Sequence, residues 1–184
     1  VAYACDAGFY YLLPVAVVQP INETEIKRLF SFSRKFRVPL VFRAAGTSLS
    51  GQSITDGILV DISKHWRKGE ALQDGQQVKV QPGMIGANVN FLLKKYGRKI
   101  GPDPASINSA MMGGILSNNA SGMCCGVVYN SYHTISRLRF VLPDGSTFDT
   151  GIQTDYTRFE NEQQALFTVL NEIRGNLLGN AQLL

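Results

Sequence analysis

Apolar residues in this chain come in short bursts punctuated by single prolines and glycines, and their spacing predicts two successive α/β units. Residues 15–18 form a short β-branched run stopped by Pro20 and read as a strand. Asn22 then has the character of a helix cap, with Glu25 three residues on to complete a capping box. Ile26, Leu29, Phe30, Ser33 and Phe36 recur at helical spacing, and Pro39 restarts the chain as the strand PLVFR. A stretch of small and hydroxylated residues follows directly. Asp56-Gly57 then reads as a turn, and Ile58, Leu59, Val60 and Ile62 as strand material.

The second unit is expected to begin near Gln77, where QVKVQP alternates as a strand should. Ile85, Val89, Leu92, Leu93 and Tyr96 mark one face of a helix that Gly97 stops. Residues 101–134 are rich in Gly, Asn, Ser and Pro and too long for a plain connection. Their apolar members Ile107, Met111, Met112, Ile115 and Leu116 predict order. RLRFVLPDGSTFDT reads as a hairpin turning at Asp144-Gly145. A last helix is expected from Glu160, with Leu166, Val169, Leu170 and Ile173 on one face. With no initiator methionine and no domain-ending signal, both ends are expected to be cuts from a longer protein.

The chemistry is in the loops. GTSLSGQS, residues 46–53, is one residue short of the triphosphate-binding pattern G-x-x-x-x-G-K-[ST], with Gln52 where lysine is required. Such a loop must also run into a helix, and here a strand follows, so nucleoside-triphosphate hydrolysis is not expected. Small residues beyond a strand can instead turn backbone N–H groups toward an anion. Taken alone, the stretch is either such a nest or a surface turn. Gly113-Gly114 and NNASG would let backbone approach a flat ring system closely. The G-x-G-x-x-G signature of a nicotinamide dinucleotide fold is absent.

Composition narrows the classes. Charged residues are 17% of 184, below the usual ~25%. The net charge of +4 suits an anionic ligand, but without a basic stripe it excludes nucleic acid. The longest nearly apolar run, residues 9–18, is too short to span a bilayer and contains Pro14, and no signal peptide is expected. Cys5, Cys124 and Cys125 do not make a disulfide framework and are expected to be reduced and buried. With only His65 and His133 besides, no metal site is expected.

Four segments in order, FRAAGTSLSG, GPDPASINSAMMGGILSNNASGMCCG, NSYHT and FVLPDGSTFDTG, resemble the FAD-binding domain of the vanillyl-alcohol oxidase and p-cresol methylhydroxylase (PCMH) superfamily. Within it they are most similar to FAD-linked 2-hydroxyacid dehydrogenases: D-lactate and D-2-hydroxyglutarate dehydrogenases and the glycolate oxidase FAD subunit. The opening YACDAGFYYLLPVAVVQP is also similar to that branch, so the resemblance spans most of residues 1–150. It implies an α+β, two-lobed PCMH-type fold. Residues 1–63 would be the first lobe and 64–184 a second lobe truncated at its C-terminus, with the substrate domain absent from this chain. It also implies oxidation of a small 2-hydroxy acid by hydride transfer to flavin, with a quinone, an electron-transfer protein or an iron–sulfur module as electron acceptor. A cytoplasmic location is expected, with peripheral attachment to the inner membrane as the alternative for the full-length protein.

Residue by residue, the resemblance puts the FAD pyrophosphate at Arg43, Ala44, Ala45, Gly46, Thr47, Ser48 and Leu49, where many relatives have glycines in place of the two alanines. Pro102, Asp103, Pro104, Ser106, Gly113, Gly114, Asn119, Ala120, Ser121 and Gly122 would line the flavin and ribityl chain. Ser131, His133, Thr134 and Ile135 match a segment nearer the dinucleotide; His133 would either touch the cofactor or serve as a structural hydrogen-bonding residue. Some relatives attach FAD through a histidine in the pyrophosphate loop. Thr47 and its neighbours include none, which implies non-covalent FAD. No catalytic residue is assigned. The alternatives are a related flavin reductase using NADPH and a non-catalytic nucleotide-binding module.

Overall fold

A computed structural model describes residues 1–180. The chain forms two contact units: Val1–Ile135 with Pro143–Gly145, and Ser136–Leu142 with the chain from Ser146.

The first unit opens with three parallel strands, β1 (Ala16–Val18), β2 (Leu40–Arg43) and β3 (Ile58–Asp61), in the order β1-β3-β2. The last strand in sequence is central, and its uninterrupted Ile-Leu-Val fits burial on both faces. Helix α1 (Glu23–Phe36) joins β1 to β2. Its cap is as the spacing predicts on one side: Asn22 Oδ1 accepts from the Glu25 N–H at 3.0 Å. The return bond lands one residue early, with the Ile21 N–H donating to Glu25 Oε2 at 2.8 Å. Ile26 is buried, and Phe30 meets Phe42 of β2 with ring centroids 5.6 Å apart.

The second sheet starts before Gln77. Strand β4 (Gly69–Leu72) pairs antiparallel with β5 (Gln77–Val80), and GEAL carries no alternation that would mark it. The hairpin between them holds three successive left-handed residues, Gln73, Asp74 and Gly75. Helix α2 (Gly86–Leu93) runs through a 3-10 turn to Gly97, whose φ of 66° makes it the left-handed stop. Val89 and Leu93 pack with Ala110, Met112 and Ile115 into a core, so the apolar residues of the long segment are its ordered floor. That segment also contains helices α3 (Met112–Ser117) and α4 (Ser131–Thr134).

In the second unit, β6 (Arg139–Val141) and β7 (Thr147–Asp149) pair antiparallel as the expected hairpin. Arg137 grips Asp149 with two hydrogen bonds, of 2.6 and 2.8 Å, and these with the Gly151 N–H hold the carboxyl at about 2. The single helix expected from Glu160 is two, α5 (Gln153–Glu162) and α6 (Gln164–Leu178). The chain leaves helical geometry at Gln163, and Phe159 and Phe167 meet edge-to-face across the break. Leu166, Val169, Leu170 and Ile173 of α6 are all exposed.

Candidate functional site

Strand β2 ends at Arg43, and the chain from Ala44 to Leu49 lies beyond the C-terminal edge of the parallel sheet, where open α/β sheets hold their ligands. Gly46 has φ 71°, which strains any side chain, and a methyl group there would have to push aside the Arg43 guanidinium, 2.5 Å away. The loop's backbone is used unevenly. Ser48 O accepts from the Ala7 N–H at 3.0 Å, and Ser48 Oγ donates to Gln52 Oε1. By contrast, the six consecutive N–H groups of Ala44, Ala45, Gly46, Thr47, Ser48 and Leu49 have no acceptor among the described residues. Ser53, 8% exposed, has a hydroxyl that is likewise without a partner. Such a row of donors, half-buried as far as Ser48, needs water or an anion to satisfy it.

The long segment is built differently. Pro102 and Pro104 are buried, and Ile107 and Ala110 N–H groups donate back to Pro104 and Ser106 carbonyls. Gly113 donates to Pro82 O at 2.8 Å and has Pro82 against its Cα, whereas Gly114 has open space where a side chain would be. Gly122 lies so close to Asp103 that a methyl group would overlap the Asp103 carbonyl oxygen. Asp103 Oδ2 accepts from the Cys124 N–H at 3.3 Å, while its buried Oδ1 is unpartnered. Asn119, at φ 47°, accepts from the Tyr132 N–H, and Ser131 Oγ lies 3.3 Å from Ile115 and Ala120 carbonyls. Ala120 itself donates to Ile115 O, and Ser121 is exposed.

Asn130 caps α4: its Oδ1 accepts from the His133 N–H at 3.0 Å and from His133 Nδ1 at 2.9 Å. Thr134 Oγ1 bonds Asn130 O, and Ile135 N–H donates to Ser131 O. The hydrogen-bonding role weighed for His133 thus has a partner. Among the described residues no hydrogen bond joins residues 43–49 to residues 102–135. The cysteines are free but not all buried: Cys125 lies inside the Gly122 turn, whereas Cys5 and Cys124 are exposed. No group of three or more possible metal ligands is found among the described residues, and no helix there is long and apolar enough to cross a membrane.

Sequence reasoning missed a buried polar cluster at the end of the parallel sheet. Asp61, at the end of β3, is 3% exposed and accepts from Tyr3 Oη at 3.0 Å, Gln19 Nε2 at 2.8 Å and the Ser63 N–H at 2.9 Å. Burial alone would raise its pKa, but the hydrogen bonds from Ser63, Gln19 and Tyr3 outweigh this and keep it below the usual carboxylate value. Tyr3 is raised, chiefly by its bond to Asp61. Partners 58 residues apart leave no local signal in the sequence.

Residues 14–151 match the family described as FAD binding domain. The chain belongs to that family. It is 36% identical over 123 residues to D-2-hydroxyglutarate dehydrogenase of Pseudomonas putida, covering 65% of this chain and 12% of that one. It is 33% identical over 153 residues to glycolate oxidase subunit GlcD of Bacillus subtilis, covering 81% and 32%. It thus spans a third or less of these relatives' lengths. The fold is that of 6-hydroxy-D-nicotine oxidase from Arthrobacter nicotinovorans (TM-score 0.71, 15% identity, 80% of this chain and 32% of that one) and of a chitooligosaccharide oxidase (TM-score 0.68, 16% identity, 84% and 33%). This is the α+β, PCMH-type FAD-binding fold that the sequence motifs imply. The residues present suit such a cofactor: six free N–H donors and the Ser53 hydroxyl for a pyrophosphate, and the open face of Gly114 for a flat ring.

Proposed function

We propose that this chain is the FAD-binding portion of a dehydrogenase acting on a small 2-hydroxy acid, of the D-lactate, glycolate or D-2-hydroxyglutarate type. The observation that carries the reading is the row of six unsatisfied N–H groups, Ala44–Leu49, beyond the parallel sheet of an FAD binding domain. A pyrophosphate is doubly charged and must recover several hydrogen bonds on burial, which such a row supplies. Arg43 adds a cation beside it. Pro102, Asp103, Pro104, Ser106, Gly113, Gly114 and residues 119–122 form the platform for the ring and ribityl chain. Ser131, His133, Thr134 and Ile135 bound the same cofactor on the dinucleotide side. When bound, FAD supplies the acceptor for the hydride leaving the substrate's α-carbon.

Residues 1–63 are read as the first lobe and 64–184 as part of the second; the relatives' greater length supports a substrate domain outside this chain. The lack of histidine and cysteine in residues 43–53 supports non-covalent retention of FAD. Electrons pass on to a quinone, an electron-transfer protein or an iron–sulfur module, which accords with a cytoplasmic protein peripheral to the inner membrane.

Calorimetric titration of the protein with FAD, with FMN and ATP as controls, tests the reading. Saturable binding of FAD and not of FMN is expected, with all flavin released on denaturation. Failure of both this chain and the longer protein to bind FAD would end it.

A further inference from the structure

The first loop is unsatisfied along its N–H edge, but its carbonyl edge is held. Ala7 N–H donates to Ser48 O at 3.0 Å, and Gly8 passes so close that a methyl group there would lie 2.6 Å from Leu49 O. The opening segment is therefore laid along the loop. Its own anchorage is at the end of the sheet. Arg43 and Asp61 are partners in the β2–β3 ladder, so two opposite charges stand side by side on one face. Tyr3 spans them: its ring lies under the Arg43 guanidinium, 5.7 Å from centroid to Cζ, and its hydroxyl donates to Asp61 Oδ2 at 3.0 Å. Arg43 Nη1 in turn donates to Cys5 O at 2.8 Å, and the same guanidinium covers Gly46. Gln19 from the β1 end closes the cluster on Asp61.

We infer that Tyr3 and Asp61 are positioning residues for the cofactor loop: through Arg43 and the opening segment they fix its carbonyl edge, which leaves the N–H edge turned free for the dinucleotide. This rests on the FAD reading above. Two features separate it from ordinary packing. The backbone bond to the loop comes from the opening segment and takes an acceptor, Ser48 O, and Arg43 at the loop's start is tied to Cys5 O of the same segment, while none of the loop's six N–H donors is taken. A loop held this way is paid for before the ligand arrives, so apparent affinity falls by the fraction of time the segment is detached.

The test uses Asp61→Asn and, because a buried substitution can unfold the sheet, Tyr3→Phe, which keeps the ring under Arg43 and removes only the hydroxyl. Amide exchange of Ala7 reports whether the segment is seated, and that of Ile58, bonded to Pro39 O, reports the sheet itself. Both variants are expected to speed Ala7 exchange about tenfold, leave Ile58 unchanged and weaken FAD binding about tenfold. A merely structural role would move Ile58 together with Ala7 and overturns the inference. So does Ala7 exchange that quickens while FAD affinity holds, or a Tyr3→Phe protein indistinguishable from wild type in both. Wild type binding FAD with variants unaltered sinks this inference alone, whereas wild type that binds none sinks the FAD reading and this with it.

Discussion

The two glycine-rich segments of the first unit treat their backbone in opposite ways. Residues 44–49 make no backbone hydrogen bond as donors, while many of residues 107–135 donate inward, to Pro104, Ser106, Met84, Pro82, Ile115 and Asn130 among others. The first keeps its polarity for something outside the protein. The second spends its own on shape, and what it presents is surface: buried prolines, a bare Gly114 and a turn pressed on Asp103. Glycine content alone therefore says little about a segment's task. The distinction lies in where its hydrogen bonds go.

That comparison can be broken most sharply at Gly122. If the second segment is a packed platform, Gly122→Ala must push the Asp103 backbone aside and should cost about 3 kcal/mol in urea denaturation. A cost within ~0.5 kcal/mol, the range of neutral surface changes, would mean the turn is free to move. Gly46→Ala should do less to the fold and more to the ligand. A left-handed alanine costs about 1–2 kcal/mol, but displacing Arg43 and turning the N–H row should weaken FAD binding tenfold or more, read by calorimetry. Equal affinity would remove the loop from the site. The smallest change in stability is expected at Gly114, where nothing meets an added methyl and the helical position favours alanine. Gly114→Ala should raise stability by about 0.5–1 kcal/mol while lowering FAD affinity, a pairing that a purely structural glycine would not give.

Much of this arrangement was legible in the residues. The β1–α1–β2 unit carries its own punctuation in Pro20, Asn22, Glu25 and Pro39, and the hairpin at Asp144-Gly145 is signalled by its turn. The loop beyond β2 was visible as a candidate because strand ends and small residues are local features. What could not be read is what depends on distance or brevity. GEAL pairs with QVKV without any alternation of its own. Helices α3 and α4, of six and four residues, are too short for a helical period to emerge. Gln163 has nothing in its identity to end a helix; the aromatic contact of Phe159 with Phe167 accompanies the break. Asp61 reads locally as the polar end of a strand, and its meaning comes from Tyr3 and Gln19, which only the folded chain brings to it.

The strand order has a consequence for how this protein emerges from synthesis. β1 and β2 are made before β3, yet neither borders the other; among the described residues each pairs only with β3. Until residue 61 has been added, residues 1–60 possess two strands with no ladder between them, and α1 has no completed sheet to cover. Arrival of β3 joins both edges at once and in the same motion fixes both ends of residues 44–57, the stretch that links it to β2. The receptor loop is thus born at the moment the sheet closes, so a nascent chain halted short of Asp61 would have neither.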